Sequence, residues 1–254
     1  MATEEHTLIY ESASTLVRRR TALPQRFGKS YSGSFLAPTQ NSDPSSSRTV
    51  ICKSLKPHAA TPTAISRYYH EFAVNQSLTS SYVCRAIGFD ERLPEITLED
   101  TGGIALKQLI KSDDIDWDEK LLIATELCKA IQSIHDEGAI HRDLNPANII
   151  FNRDTETLKL IDFGLATLAS HEYNEMDSGQ LTGTLPYISP EQTGRVNRQI
   201  DYRTDLYSLG ATLYELLAGK PPFINNDPLE LIHSHIARTP ACLLYTSPSP
   251  RDRG

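Results

Sequence analysis

The hydrophobic positions change their period along the chain. Residues 7–17 alternate loosely between apolar and polar, a period of two that predicts a strand. Apolar order is then lost, and residues 28–48 hold seven serines, two glycines and two prolines. Such a stretch buries too little surface to offset its ordering entropy, so a long mobile loop is expected over about 18–48. Thr49-Val50-Ile51-Cys52 predicts a short buried strand, and a helix is expected over about 64–78. Further on the period becomes helical. Leu121, Thr125, Cys128, Ile131 and His135 recur every three or four residues behind Asp116, a residue suited to capping a helix, and Gly138 closes the run. Ile149-Ile150-Phe151 and Leu158-Lys159-Leu160-Ile161 flank a polar turn and predict a hairpin. A more apolar helix over 206–217 stops at Gly219 and Pro221-Pro222, and Asp227-Pro228 opens another that ends near Arg238. Strands come first and helices second, an order that predicts two unequal lobes in an α+β arrangement.

Composition narrows the class without naming a chemistry. The chain has 254 residues, with 39% apolar and 22% charged, which is globular rather than disordered or fibrous. Its 32 acidic residues outnumber 25 Lys and Arg, a net charge of −7 that argues against non-specific nucleic-acid binding. No apolar run approaches the ~20 residues a bilayer crossing needs. The first ten residues carry acids where a secretory signal would be basic and then apolar. The expectation is a cytoplasmic protein with neither nucleic acid nor membrane as a partner. Cys52, Cys84, Cys128 and Cys242 show no CxxC pairing or metal-ligand spacing, and read as reduced structural thiols.

The chemistry is concentrated in His141-Arg142-Asp143-Leu144-Asn145-Pro146-Ala147-Asn148 and, after the hairpin, Asp162-Phe163-Gly164. Together these resemble the catalytic loop and metal-binding motif of a serine/threonine protein kinase. The resemblance implies a bilobal fold, with a small β-rich N-lobe over about 7–101 and a larger helical C-lobe over about 102–241. It also implies Mg²⁺ and ATP as cofactors and a protein carrying a Ser/Thr acceptor as substrate. In such a site Asp143 would orient the acceptor hydroxyl and take its proton, while Asn148 and Asp162 would hold the metal against the phosphates. Ser189-Pro190-Glu191 resembles the end of a kinase activation segment, and Gly183-Thr184-Leu185-Pro186-Tyr187 the passage that seats the substrate, with Thr184 favouring serine and threonine acceptors. Asp205 would brace the catalytic-loop backbone, and Arg142 is of the kind that receives an activation-loop phosphate. Gln180 stands at the usual phosphosite, so activity independent of phosphorylation there is expected.

Upstream, Val50-Ile51-Cys52-Lys53 resembles the strand that ends in the ATP-binding lysine. Glu71 is the only acidic residue between Lys53 and Asp90, which makes it the single candidate partner. Backbone groups of Glu99 and Thr101 would meet the adenine, with Leu98 behind it. Ser12 and Val17 lie in the stretch aligned with the phosphate-covering loop. That stretch, Tyr10-Glu11-Ser12-Ala13-Ser14-Thr15-Leu16-Val17, contains no glycine, which limits how closely its backbone can approach phosphates. Asn145 replaces the usual lysine that neutralises the γ-phosphate. The amide brings no charge, and restoring the lysine is expected to speed transfer. These two departures support an alternative, a pseudokinase that binds nucleotide or acts as a scaffold.

The run from Gly183 to Phe223 resembles more particularly the kinase domain that opens hybrid proteins carrying AAA-type ATPase, GAF and often histidine-kinase modules, which would then be partners within a longer parent. Residues 242–252 resemble a translated sequencing adapter, so 242–254 are expected to be an artefact tail. On that reading the C-lobe lacks its last helices, including the arginine that would pair with Glu191. Glu191 is then expected to be an unpaired buried carboxylate, and Leu213, Leu216 and Leu217 to be unusually exposed.

Overall fold

The alternating residues at the start of the chain fold as two strands rather than one. In a computed structural model that describes residues 6–11, 14–22, 48–90, 94–168 and 181–243, β1 (His6–Glu11) and β2 (Thr15–Ala22) are antiparallel neighbours, with Glu11 opposite Leu16. A single strand over 7–17 is therefore incorrect. The turn between the strands interrupts a pattern whose alternation is too loose to reveal it. β2 also carries regular structure into the segment expected to be mobile from residue 18. Its basic residues are held by pairing with β3 (Arg48–Leu55), where Arg18 faces Cys52 and Arg20 faces Val50. The rest of that serine-rich segment, 23–47, lies outside the described residues, as do Ser12, 169–180 with Gln180, and 244–254.

The described residues divide into two compact units. The first comprises the described residues within 1–76 and 84–101. Its antiparallel sheet has the order β1-β2-β3-β5-β4, completed by β4 (Ala86–Asp90) and β5 (Glu95–Glu99). Helix α1 (Pro62–Ser77) buries Tyr68, Glu71, Val74 and Asn75 on one side. The Asn75 amide ties it to the start of β4, donating to Cys84 O and accepting from Ala86 N, both at 2.8 Å. Val50, Cys52, Ile96, Val74 and Leu98 form the core.

The second unit comprises the described residues within 77–83 and 102–243. Residues 77–83 join it rather than the first because Val83 bridges Leu160 and Leu160 N donates to Tyr82 O at 2.7 Å. It contains β6 (Ile104–Ala105), α2 (Leu106–Ser112), α3 (Trp117–Asp136), β7 (Ala139–Ile140), β8 (Ile149–Asn152), β9 (Thr157–Leu160), β10 (Thr167–Leu168), α4 (Arg203–Ala218) and α5 (Pro228–Ala237). Asp116 caps α3 by accepting from Glu119 N at 2.8 Å, and Asp227 caps α5 through Leu229 N. The buried stripe of α3 is Ile123, Leu127, Ala130, Ile131 and Ile134. Of the stripe read from the sequence, Leu121, Thr125 and Cys128 are exposed. A twenty-residue helix with apolar residues at several phases supports more than one stripe, and packing selects one.

β6, β8 and β9 form a small sheet on which Gly103 is required. A Cβ there would lie 2.7 Å from Phe151 O and 2.8 Å from Ile150 Cγ2. Leu216 on α4 is buried, and Leu213 and Leu217 are half-buried, so the expected exposure of this helix is not found. Among the described residues no helix is long and apolar enough to cross a membrane.

Candidate active site

In the first unit, the pleat gathers the candidate residues. Val17, Lys53 and Ile96 are direct register partners across β2, β3 and β5, and therefore share one face, with Leu98 two residues along. Lys53 Nζ donates to both oxygens of Glu71 at 2.8 Å. The two side chains are 13% and 7% exposed, so this ion pair is largely desolvated and depends on its bidentate geometry. The ring of Tyr68 stands 5.5 Å from the same ammonium, and its hydroxyl lies 3.3 Å from Thr15 Oγ1 at the start of β2. Tyr68 escaped the reading of the sequence. Its position three residues before Glu71, on the same helical face, is the signal that could have found it. Where the chain leaves β5, Glu99 N donates to Arg85 O at 2.9 Å, its carboxylate accepts from Arg85 N at 3.0 Å, and the Cys84 thiol donates to Glu99 O. Thr101 ends this unit.

In the second unit, Asp143 is held from several sides. Oδ1 accepts from Thr184 N at 2.8 Å and Oδ2 from Asn148 Nδ2 at 3.2 Å. Asn148 Nδ2 also donates to Asp143 O at 2.9 Å. The backbone that presents Asp143 is turned sharply, with Arg142 at φ +65° and Asp162 at φ +66°, conformations that non-glycine residues adopt only when their surroundings impose them. Asp205 imposes the first. Fully buried at the start of α4, it accepts from His141 N, Arg142 N and His135 Nε2, all at 2.8 Å. Gln192, another residue the sequence reading passed over, donates to Arg142 O at 2.6 Å and accepts from Ser189 N and Oγ. The spacing from Ser189 to Gln192 is that of a capping box, which was its legible signature.

The Asp162 side rests on a buried aromatic pair. Phe163 is fully buried, with its ring 4.8 Å from that of His141. His141 Nε2 lies 3.1 Å from Ile161 O while Nδ1 accepts from Asp143 N, which fixes the tautomer with the proton on Nε2. Burial pushes the Asp143 carboxyl above the usual carboxylate range, and the charge of Asp162 adds to that rise against the hydrogen bonding of Thr184. Two carboxylates that repel, beside an amide that keeps its nitrogen on Asp143 and has Oδ1 to present, suit a hard divalent cation with oxygen ligands.

Glu191 is not the stranded carboxylate expected. It is half-buried and accepts from Thr204 Oγ1 at 2.8 Å. Its charge, after burial, helps push the Tyr207 hydroxyl up to about 12, and that hydroxyl lies 2.8 Å from His235 Nδ1. Gly183, at φ +110°, lies where a Cβ would come within 3.7 Å of Asp143 Oδ1. Asn145 is buried at 3% exposure and faces Thr184 across the loop, at 3.2 Å.

The β-sheet unit holds a carboxylate-paired lysine and the helical unit an Asp–Asn–Asp set, the residue types of the kinase class. A profile of the protein kinase domain matches residues 32–251, and the chain belongs to that family. It is 34% identical over 163 residues to the serine/threonine-protein kinase PknB of Mycobacterium leprae, covering 64% of this chain and 25% of that protein. It is 35% identical over 150 residues to PknB of Mycolicibacterium smegmatis, covering 58% and 24% respectively. A probable serine/threonine-protein kinase of Clostridium acetobutylicum is 36% identical over 151 residues, 59% of this chain and 22% of its own length. The chain thus spans about a quarter of the length of these relatives.

Proposed function

We propose that this chain transfers the γ-phosphoryl group of ATP to serine or threonine hydroxyls of a protein substrate. The observation that carries this reading is the Asp143 carboxylate, fixed by Thr184 N and Asn148 Nδ2 and raised in pKa by burial. Asp143 orients the acceptor hydroxyl and takes its proton as the oxygen bonds to phosphorus and the bond to ADP breaks. A carboxyl with a raised pKa is a stronger base once ionised. Lys53, oriented by Glu71, binds the α- and β-phosphates. Asn148 and Asp162 hold Mg²⁺, which when bound neutralises charge on the phosphates. Leu98 and Val17 supply apolar walls and Glu99 and Thr101 the backbone contacts to adenine. Thr184 selects serine and threonine acceptors, Glu191 and Asp205 hold the segment and the loop, and Arg142 receives an activation-segment phosphate if one is made.

The test is transfer of labelled phosphate from Mg-ATP to a generic Ser/Thr-containing protein, with Asp143→Asn as the control. Label on serine or threonine with wild type only is expected. Nucleotide binding without any transfer would select the scaffold reading instead. We also propose a kinase domain over 1–241 of a cytoplasmic parent that continues into AAA-type ATPase, GAF and histidine-kinase modules, with 242–254 derived from an adapter. The run Ser189-Pro190-Glu191-Gln192-Thr193-Gly194-Arg195 supports the parent. The uninterrupted genomic reading frame past Ala241 tests both ideas together.

A further inference from the structure

Asn145 sits where a cation was expected to meet the γ-phosphate, and its hydrogen bonds leave nothing for that role. A carboxamide has two N–H donors and one carbonyl acceptor. Nδ2 donates to Asp143 O at 3.0 Å and to Thr184 Oγ1 at 3.2 Å, while Oδ1 accepts from Ala147 N at 2.9 Å. Both donors are committed within the protein, and the residue is 3% exposed.

Each of the three bonds reaches a different part of the proposed machinery. The bond to Asp143 O grips the backbone of the catalytic carboxylate. The bond from Ala147 N caps the short 3₁₀ turn Pro146–Asn148, which delivers Asn148 to Asp143. The bond to Thr184 Oγ1 leaves that hydroxyl's own proton for Asp143, and the Thr184 hydrogen bond indeed draws the Asp143 carboxyl downward against its burial. We propose that Asn145 is a positioning residue, not a phosphate ligand: a neutral three-way clamp that sets Asp143, Asn148 and Thr184 in register. This rests on the kinase reading given above.

The clamp reverses the expectation for a restored lysine. An ammonium has three donors and no acceptor, so Asn145→Lys leaves Ala147 N without its cap and puts a charge into a buried site. The experiment measures kcat, together with Mg-ATP affinity by calorimetry, on the full chain for Asn145→Leu, Asn145→Lys and Thr184→Val. A misplaced reacting group costs rate rather than ground-state binding, so kcat is expected to fall by about tenfold to a hundredfold while Mg-ATP Kd stays within about twofold. The effects of Asn145→Leu and Thr184→Val are expected to be less than additive, because the two side chains share one link. A rise in kcat with Asn145→Lys, or a loss of Mg-ATP affinity that matches the loss of kcat/KM, would overturn the clamp. If Asn145→Leu does not fold, Thr184→Val tests the same link from its other end. If wild type transfers no phosphate, the kinase reading fails by itself and the clamp is judged on the nucleotide-free chain. There the Ala147 amide hydrogen, which the Asn145 carbonyl holds, is expected to exchange with solvent about tenfold or more faster in Asn145→Leu than in wild type, and identical exchange overturns the proposal.

Discussion

The two units hold their candidate residues by different means. In the β-sheet unit, two long side chains meet end to end, Lys53 from a strand and Glu71 from a helix, through two hydrogen bonds at 2.8 Å. In the helical unit, Asp143 is fixed by a backbone N–H, by the amide of Asn148 and by a loop that Asp205 pins through two consecutive backbone N–H groups. The first arrangement can be exchanged as a pair without disturbing the backbone that bears it, since strand pairing and helix burial do not run through the ion pair. The second cannot, because the hydrogen bonds that shape the backbone are the ones that place the carboxylate. Activity and stability are therefore expected to separate when the Lys53–Glu71 pair is replaced as a whole, and to travel together at Asp205 and the loop it pins.

The largest effect tests the chemistry itself. Asp162→Ala removes a proposed metal ligand, and phosphate transfer is expected to fall by about a thousandfold or more while the thermal unfolding temperature changes little. Comparable transfer with and without Asp162 would remove it from the site. Next comes the brace. Asp205→Ala leaves His141 N and Arg142 N without acceptors in a buried place, and is expected to cost about 3–5 kcal/mol in denaturant unfolding. A loss below about 1 kcal/mol would mean that the loop holds its shape unaided.

For the first unit the comparison predicts a rescue. Lys53→Met strands a buried carboxylate and is expected to lower kcat/KM about a hundredfold and to destabilise the fold. Adding Glu71→Leu is expected to restore stability, since a packed apolar pair can replace a buried ion pair, without restoring transfer. Recovery of both, or of neither, would erase the distinction between the units. Tyr68→Phe keeps the ring beside Lys53 but removes its hydroxyl from Thr15. An effect of about twofold to fivefold on the KM for ATP is expected, with kcat unchanged.

The smallest effect is a titration. The folded Asp143 carboxyl binds its proton above the ordinary carboxylate value, first because it is buried and then because of the Asp162 charge. Between the unfolded and folded pKa values the folded chain thus holds more protons, and the contribution of this group to stability is greatest at low pH and is lost as pH rises through the folded value. Asp162→Asn is expected to lower the Asp143 pKa by less than the burial effect raises it, as read by NMR. An unchanged titration would mean that the two carboxylates do not feel each other.

The sequence alone determined what is local or chemically singular. Asp116 and Asp227 announced their helices because a short acceptor just before an apolar run satisfies orphan N–H groups whatever lies nearby. Lys53 and Glu71 could be matched because one strand offered a lysine and one helix a lone acid. Asp143, Asn148 and Asp162 stood out because they match the kinase motifs that the sequence resembles, at the spacing those motifs have around a hairpin. Tertiary structure decided the rest. Whether α3 buries Leu121 and Cys128 or Ile123 and Leu127 is a choice between two helical faces, and only the neighbouring elements can make it. Glu191 finds its partner in Thr204, thirteen residues away, where the sequence suggested none. Asn145 looked like a lost charge because a sequence shows which groups a residue carries, not which of them are already spent. Its two hydrogens and one oxygen found their partners only when Thr184 was folded back across the loop, and hydrogen-bond saturation is a property of that placement rather than of the residue.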